Sequence, residues 1–280
     1  MRCFAWRPGV RSAVRPPLSA RVARPLHVAR GRRHRARGAV SGTAVPSLNG
    51  YHGAVTFSPG SSARLTTHDL PRFPSDTLFD HIGRVVCGVE LLPRKELYEA
   101  WEIARRTRRW CRGGRVIDAA GGHGLLAHIM LLLDDSSPEA LVVDPVPPPS
   151  SAAVHRALVA EWPRLHGRVT FVAEGIDRFA LAATDLIVSS HACGALTDLI
   201  LDAAAAASAP VAVLPCCHDL ARCDVGPLAG WLDGPMAIDA VRALRMEQRG
   251  YRVRTQTIPS AITPKNRLLI AEKQMLLTPV

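Results

Sequence analysis

The sequence predicts an α/β fold: a doubly wound, mostly parallel sheet of seven strands beside an N-terminal helical cover. Three observations predict it. From residue 115 onward, short strand-like apolar runs alternate with longer runs of helical periodicity, a pattern that implies parallel strands joined by covering helices. A glycine-rich turn separates the first such strand from the first such helix, the place where open α/β sheets hold ligands. Apolar residues make up 48% of the 280, enough to fill a sizeable core.

Each element has a local reason. Residues 1–73 are expected to be an Arg-rich tail; at least the first 68 lack periodic apolar spacing and are rich in Arg, Pro, Ser, Gly and Ala, a composition that buries too little apolar surface to offset its ordering entropy. Residues 74–112 should form the helical cover. One helix is capped by Ser75 or Asp76 and carries Leu78, Ile82, Val85 and Val86 on one side; a second runs from Pro93 to about Cys111 with Leu97, Ala100, Trp101, Ile103 and Ala104 facing inward. Residues 113–280 should form the main domain. Its strands are expected at 115–119, 140–143, 169–173, 185–189, 211–214, 251–258 and 267–272, with helices at 124–133, 151–162, 176–182, 195–207 and 235–249. Right-handed crossovers make this a Rossmann-like, doubly wound sheet.

Charge is unevenly distributed. The net formal charge is +11, yet residues 1–68 hold 12 arginines and no acidic residue, so the rest of the chain is nearly neutral. A broad nucleic-acid surface on the main domain is therefore not supported by charge. Only the run Arg105, Arg106, Arg108, Arg109, Arg112 and Arg115 could form a local patch, and a solvated helix face explains it as well. The tail fits an organelle transit peptide, an RNA-tethering arm or a segment without a role. No apolar run is long enough to cross a bilayer. Seven cysteines without a C-x-x-C pair indicate reduced thiols rather than a disulfide framework, so a cytoplasmic location is expected, or an organelle if the tail is a transit peptide.

The strongest local signal is the segment Val116-Ile117-Asp118-Ala119-Ala120-Gly121-Gly122-His123-Gly124. Two cofactors fit such a loop. Gly122-x-Gly124-x-x-Ala127 matches a dinucleotide fingerprint, with Asp144 at the spacing of a ribose-binding acid. Asp118, however, would set a carboxylate near the pyrophosphate. S-adenosylmethionine has no phosphate and carries a sulfonium and an ammonium, so Asp118 would pair with its amino-acid portion and Asp144 with its ribose hydroxyls.

On these residues the chain resembles the class I S-adenosylmethionine-dependent methyltransferases, whose first motif is an acid followed by glycines at offsets of two, four and six. Here the positions are Asp118, Ala120, Gly122 and Gly124, with Ala120 departing from the pattern. The resemblance implies that Ile176 lies against adenine and Asp177 near its amino group, although Asp177 would also serve as a plain helix cap. The segments His191-Ala192-Cys193-Gly194 and Cys216-Cys217-His218 look like those of a subgroup that includes the eukaryotic tRNA acceptor-stem 2′-O-methyltransferase and the methyltransferase domain of the glutathione-S-transferase C-terminal-domain-containing protein. Segments 93–97 and 262–267 border that domain in the same way. The resemblance implies methyl transfer to RNA, tRNA in particular; a protein or small-metabolite acceptor and an NAD(P)-dependent oxidoreductase remain alternatives.

His191 is then a candidate general base near its natural pKa, or a residue that only lines the cofactor. Cys217 and His218 are candidate substrate contacts, as are Lys265 and Asn266, which would otherwise form a polar hairpin turn. Cys217, His218 and Cys223, with Cys193, have ligand chemistry for zinc but not a standard spacing, and no metal is expected.

Overall fold

The structure, a computed structural model, describes residues 57–274; the expectations for 1–56 and 275–280 lie outside those residues. The seven strands form one sheet. They are β1 (Val116–Ala119), β2 (Ala140–Val143), β3 (Val169–Val172), β4 (Leu186–Ser189), β5 (Val211–Val213), β6 (Tyr251–Thr257) and β7 (Arg267–Lys273). Their order is β3-β2-β1-β4-β5-β7-β6. All pairings from β3 to β5 are parallel, whereas β7 is antiparallel to both β5 and β6. The chain order reverses between β1 and β4, which makes their carboxyl ends the ligand-binding position of the sheet.

Among the described residues, six α-helices cover the sheet: α1 (Leu78–Val89), α2 (Arg94–Thr107), α3 (Leu125–Leu133), α4 (Ser151–Glu161), α5 (Ala195–Ala207) and α6 (Gly234–Gln248). Strand alternation divides the core. Val116, Val142, Val188 and Ala212 pack with Ile82, Leu97, Ile129 and Val154 of α1–α4. Ile117, Val143, Ile187 and Val211 pack with Ile200 and Leu201 of α5 and Met246 of α6. Helices on both faces are what the near-continuous apolar strands require.

Three boundaries differ from expectation. The cap of α1 is Thr77, whose hydroxyl accepts from Asp80 N; Ser75 instead donates to the Asp80 carboxylate. Helix α2 ends at Thr107, short of the expected Cys111; just beyond it the Arg108 side chain turns inward to Asp134 Oδ2 at 3.0 Å and donates to the Met130 carbonyl. The expected helix at 176–182 is only a turn. Asp185 closes that segment: its carboxylate accepts from Ala182 N at 2.8 Å and binds Arg115 at 2.9 Å.

Residues 57–73, assigned to the tail by composition, pack on the cover. Leu65 and Phe73 are buried, Leu65 N donates to Leu92 O at 2.9 Å, and the guanidinium groups of Arg72 and Arg94 lie 4.2 and 4.4 Å from the Phe57 ring centroid. Gly83 makes room for Phe73, since a Cβ there would sit 2.3 Å from its ring. These apolar residues are held one at a time, which leaves no periodic signature in the sequence.

Candidate active site

The glycine loop leaves β1 at the centre of the sheet and enters α3. Ala120, Gly122 and Gly124 all adopt positive φ, at 55°, 52° and 74°. Ala120 thus takes a conformation that favours glycine, at the position where the resembling motif has one. Gly124 cannot carry a side chain: a Cβ would lie 2.8 Å from Val142 Cγ2 and 3.0 Å from Phe171 Cζ. At Gly122 a Cβ would meet nothing within 4 Å, so the backbone there faces open space.

Asp118 is not at the surface of this crevice. Its side chain lies beneath the loop, wholly buried, and Oδ2 accepts from Ala127 N in the first turn of α3 at 3.1 Å. Oδ1 has no partner among the described residues. Burial pushes the carboxyl up to about 7, opposed by the Ala127 hydrogen bond and reinforced by the Asp144 charge. The expected direct pairing of Asp118 with a ligand's ammonium is corrected to a support beneath the loop. Asp144 is half-buried at the tip of β2, and its oxygens accept from Gly122 N at 3.1 Å and Val146 N at 2.9 Å. At the β3 tip, Asp177 is exposed, but Ile176 is buried with Ile117, Ala119 and Val143 rather than presented as a platform for an aromatic ring.

His191 follows β4 and is half-buried. Burial, with Lys95 and His123 as positive or ionisable neighbours, lowers its pKa to about 4. A histidine so lowered is neutral at pH 7 and a weaker base than the sequence suggested. Lys95 reaches this place from the start of α2, where it pairs with Glu99 at 3.3 Å. Sequence reasoning weighed neither Lys95 nor His123 as a site residue, because nothing local shows that α2 approaches the end of β4.

The substrate candidates divide. His218 turns away from the crevice: its ring donates from Nε2 to Asp239 Oδ1 at 2.8 Å and its side chain is buried. Asp239 also receives Arg267 at 2.7 Å and Arg242 at 3.2 Å. Asn266 is spent on the hairpin, donating from Nδ2 to Ile258 O at 2.9 Å. Both are corrected to structural roles. Cys217 and Lys265 stay at the rim, with Lys265 Nζ 3.7 Å from Cys217 Sγ. Cys193 and Cys216 join them, their sulfurs 2.9 Å apart. Hydrogen bonding from Cys216 lowers the Cys193 thiol to about 6, and the same contact raises Cys216. Cys216 had no assigned role in the sequence, although the register that pairs Ser189 with Val213 continues to pair Cys193 with Cys217.

The arginine run is mostly consumed internally. Arg105 and Arg106 bind Glu102, Arg108 binds Asp134, and Arg115 binds Asp185. A separate cavity of about 440 Å³ lies between α6 and strands β5, β7 and β6, lined by residues such as Val213, Met236, Asp239 and Leu269. It holds the Asp239 ion-pair network and is distinct from the glycine loop. Among the described residues, no helix is long and apolar enough to cross a membrane.

No family model and no curated protein matches this sequence. Solved structures do. An O-methyltransferase family protein from Burkholderia thailandensis is 20% identical, with a TM-score of 0.43, over 74% of this chain and 63% of its own. An O-methyltransferase from Nostoc punctiforme, so described provisionally, is 15% identical with a TM-score of 0.43, over 65% and 61%. The M1A22 tRNA methyltransferase TrmK of Bacillus subtilis is 14% identical with a TM-score of 0.42, over 62% and 66%. The chain thus spans less than two thirds of the length of each of the three. At these identities the likeness concerns the fold alone.

Proposed function

We propose that the crevice binds S-adenosylmethionine and that the chain is a methyltransferase acting on RNA. The observation that carries the cofactor reading is the ownership of the loop's donors. Two carboxylates hold them: Asp118 takes Ala127 N, and Asp144 takes Gly122 N. A pyrophosphate needs such N–H groups free at the helix start and no carboxylate beside them. A phosphate-free nucleoside with positive charge suits the same place. Open space at Gly122 and the half-buried Asp144 support the fit.

Bound there, S-adenosylmethionine supplies a methyl group already activated by its sulfonium. The chain's work is then alignment and exclusion of water. Asp144 orients the ribose hydroxyls as an acceptor, through the lone pairs its oxygens have left while Oδ2 keeps its bond to Gly122 N. Gly122 and Gly124 permit close backbone approach. Neutral His191 lines the side on which the acceptor enters, with Lys95 and Lys265 as the nearby cations.

The cofactor test is thermal unfolding of the full chain with S-adenosylhomocysteine or NAD. A ligand at a hundred times its Kd stabilises the folded state by about 2.7 kcal/mol. Stabilisation by S-adenosylhomocysteine alone is expected, and Asp144→Ala should abolish it while the unliganded variant still melts cooperatively. Stabilisation by NAD alone would reject the reading.

The RNA acceptor rests on the resemblance of the His191–Gly194 and Cys216–His218 segments and on the arginines of residues 1–68. One observation favours a second reading, a protein or small-metabolite acceptor: the arginines near α2 are largely spent on internal ion pairs. Transfer of a labelled methyl group from S-adenosylmethionine into cell extract decides between them. Label that is lost on ribonuclease treatment supports RNA; label that survives it supports the alternative.

A further inference from the structure

Three thiols converge where β4 and β5 leave the sheet. Cys193 and Cys217 are paired by a parallel bridge, and Gly194 N donates to Cys217 O at 3.1 Å. Cys216 precedes Cys217, and the three sulfurs all lie within 4.8 Å of one another. The backbone that carries them continues the β4–β5 pairing, so the sulfurs are brought together by the sheet and not by a free loop. A tetrahedral thiolate site with metal–sulfur bonds of about 2.3 Å separates its sulfurs by roughly 3.8 Å. The cluster brackets that spacing: the Cys193–Cys216 pair at 2.9 Å must open by somewhat under 1 Å, a side-chain adjustment.

Charge supports the same conclusion. Three thiolates exceed the charge of one divalent cation, and the Lys265 ammonium stands 3.7 Å from Cys217 Sγ to balance the excess. The residues that the sequence grouped with these cysteines are occupied elsewhere. His218 is turned to Asp239, and Cys223 Sγ lies 3.6 Å from Arg242 Nη2.

We propose that Cys193, Cys216 and Cys217 bind a thiophilic divalent cation of the zinc type. The three sulfurs leave a fourth position open on the side of Cys193, the exposed member of the cluster. Such an arrangement holds a water or an exchangeable ligand there, as in zinc sites with three protein ligands. Binding releases the thiol protons to solvent. The site does not depend on the cofactor reading of the neighbouring crevice.

The test uses the full chain, stripped of metal and kept in a phosphine reductant, titrated with cadmium and read by the thiolate-to-cadmium charge-transfer band. One equivalent should saturate a band of three-thiolate intensity, and a large excess of zinc should compete with it, since cadmium is the softer ion and the tighter thiolate binder. Cys193→Ser, Cys216→Ser and Cys217→Ser should each remove about a third of the band and weaken binding at least ~10-fold, whereas Cys223→Ser should leave it unchanged. Zinc-edge X-ray absorption of the unaltered protein gives an independent reading if a variant fails to fold; three sulfur neighbours are expected. The proposal is overturned by the absence of a band while the thiols titrate as free, by a band that survives the triple serine variant, by a zinc shell of nitrogen and oxygen only, or by a Cys193–Cys216 disulfide that persists in reductant.

Discussion

Replacing Asp118 by asparagine tests the electrostatics beneath the glycine loop. The carboxyl is wholly buried, one oxygen accepts from Ala127 N, and burial moves its pKa from 3.8 to about 7. Because the folded value lies above the unfolded one, ionisation opposes folding. The penalty is absent below the unfolded pKa, grows as the pH rises through the interval, and is complete above the folded pKa. A rise of this size corresponds to about 4 kcal/mol at full ionisation. Asp118→Asn keeps an acceptor for Ala127 N and removes the ionisation. Its amide places a donor where Oδ1 now has no partner, at a cost of about 1–3 kcal/mol that does not vary with pH. The slope, rather than the absolute difference, therefore carries the signal. Relative to the unaltered chain, the variant should gain about 3 kcal/mol between about pH 5 and about pH 8 in urea unfolding. A stability difference that stays constant over that range would refute the reasoning.

Other perturbations separate backbone, network and lining roles. Gly124→Ala should cost more than Gly122→Ala in urea unfolding, about 2–3 against about 1 kcal/mol, since both strain a positive φ but only Gly124 also meets Val142 and Phe171; equal losses would contradict the packing described. Arg242→Ala should destabilise by about 3–5 kcal/mol, because it leaves Asp198, bound bidentately, and Asp239 without their shared guanidinium. Lysine at that position should not restore the loss, as it lacks the planar fork, and full rescue would show that charge alone matters. His191→Ala should weaken S-adenosylhomocysteine binding and slow methyl transfer by similar factors, as expected of a lining residue. A large loss of turnover with unchanged binding would return His191 to the role of a base.

The sequence by itself determined the elements and the position of the crevice. Apolar runs at Val116, Leu141, Thr170, Ile187 and Ala212 and their spacing from the helices prescribed a parallel sheet, and the glycines at 121, 122 and 124 marked its ligand-binding end. Asp144 was legible for the same reason, being the residue at which the second strand stops. These are local signals of period, turn chemistry and chain order. Only the tertiary structure decided which polar side chains face the crevice. Asp118 and His218 lie at or just beyond the strand ends that border the crevice yet are drawn inward, one by the first turn of α3 and the other by Asp239 on α6. Likewise Asn266 is captured by Ile258 across the hairpin, and residues 57–73 are held by backbone bonds to Leu92, Arg94 and Lys95 of the cover. The meeting of Cys193 with Cys216 and Cys217 follows from the pairing of two strand ends far apart in the chain. Direction of a side chain depends on which distant partner satisfies it, and no local pattern encodes that partner.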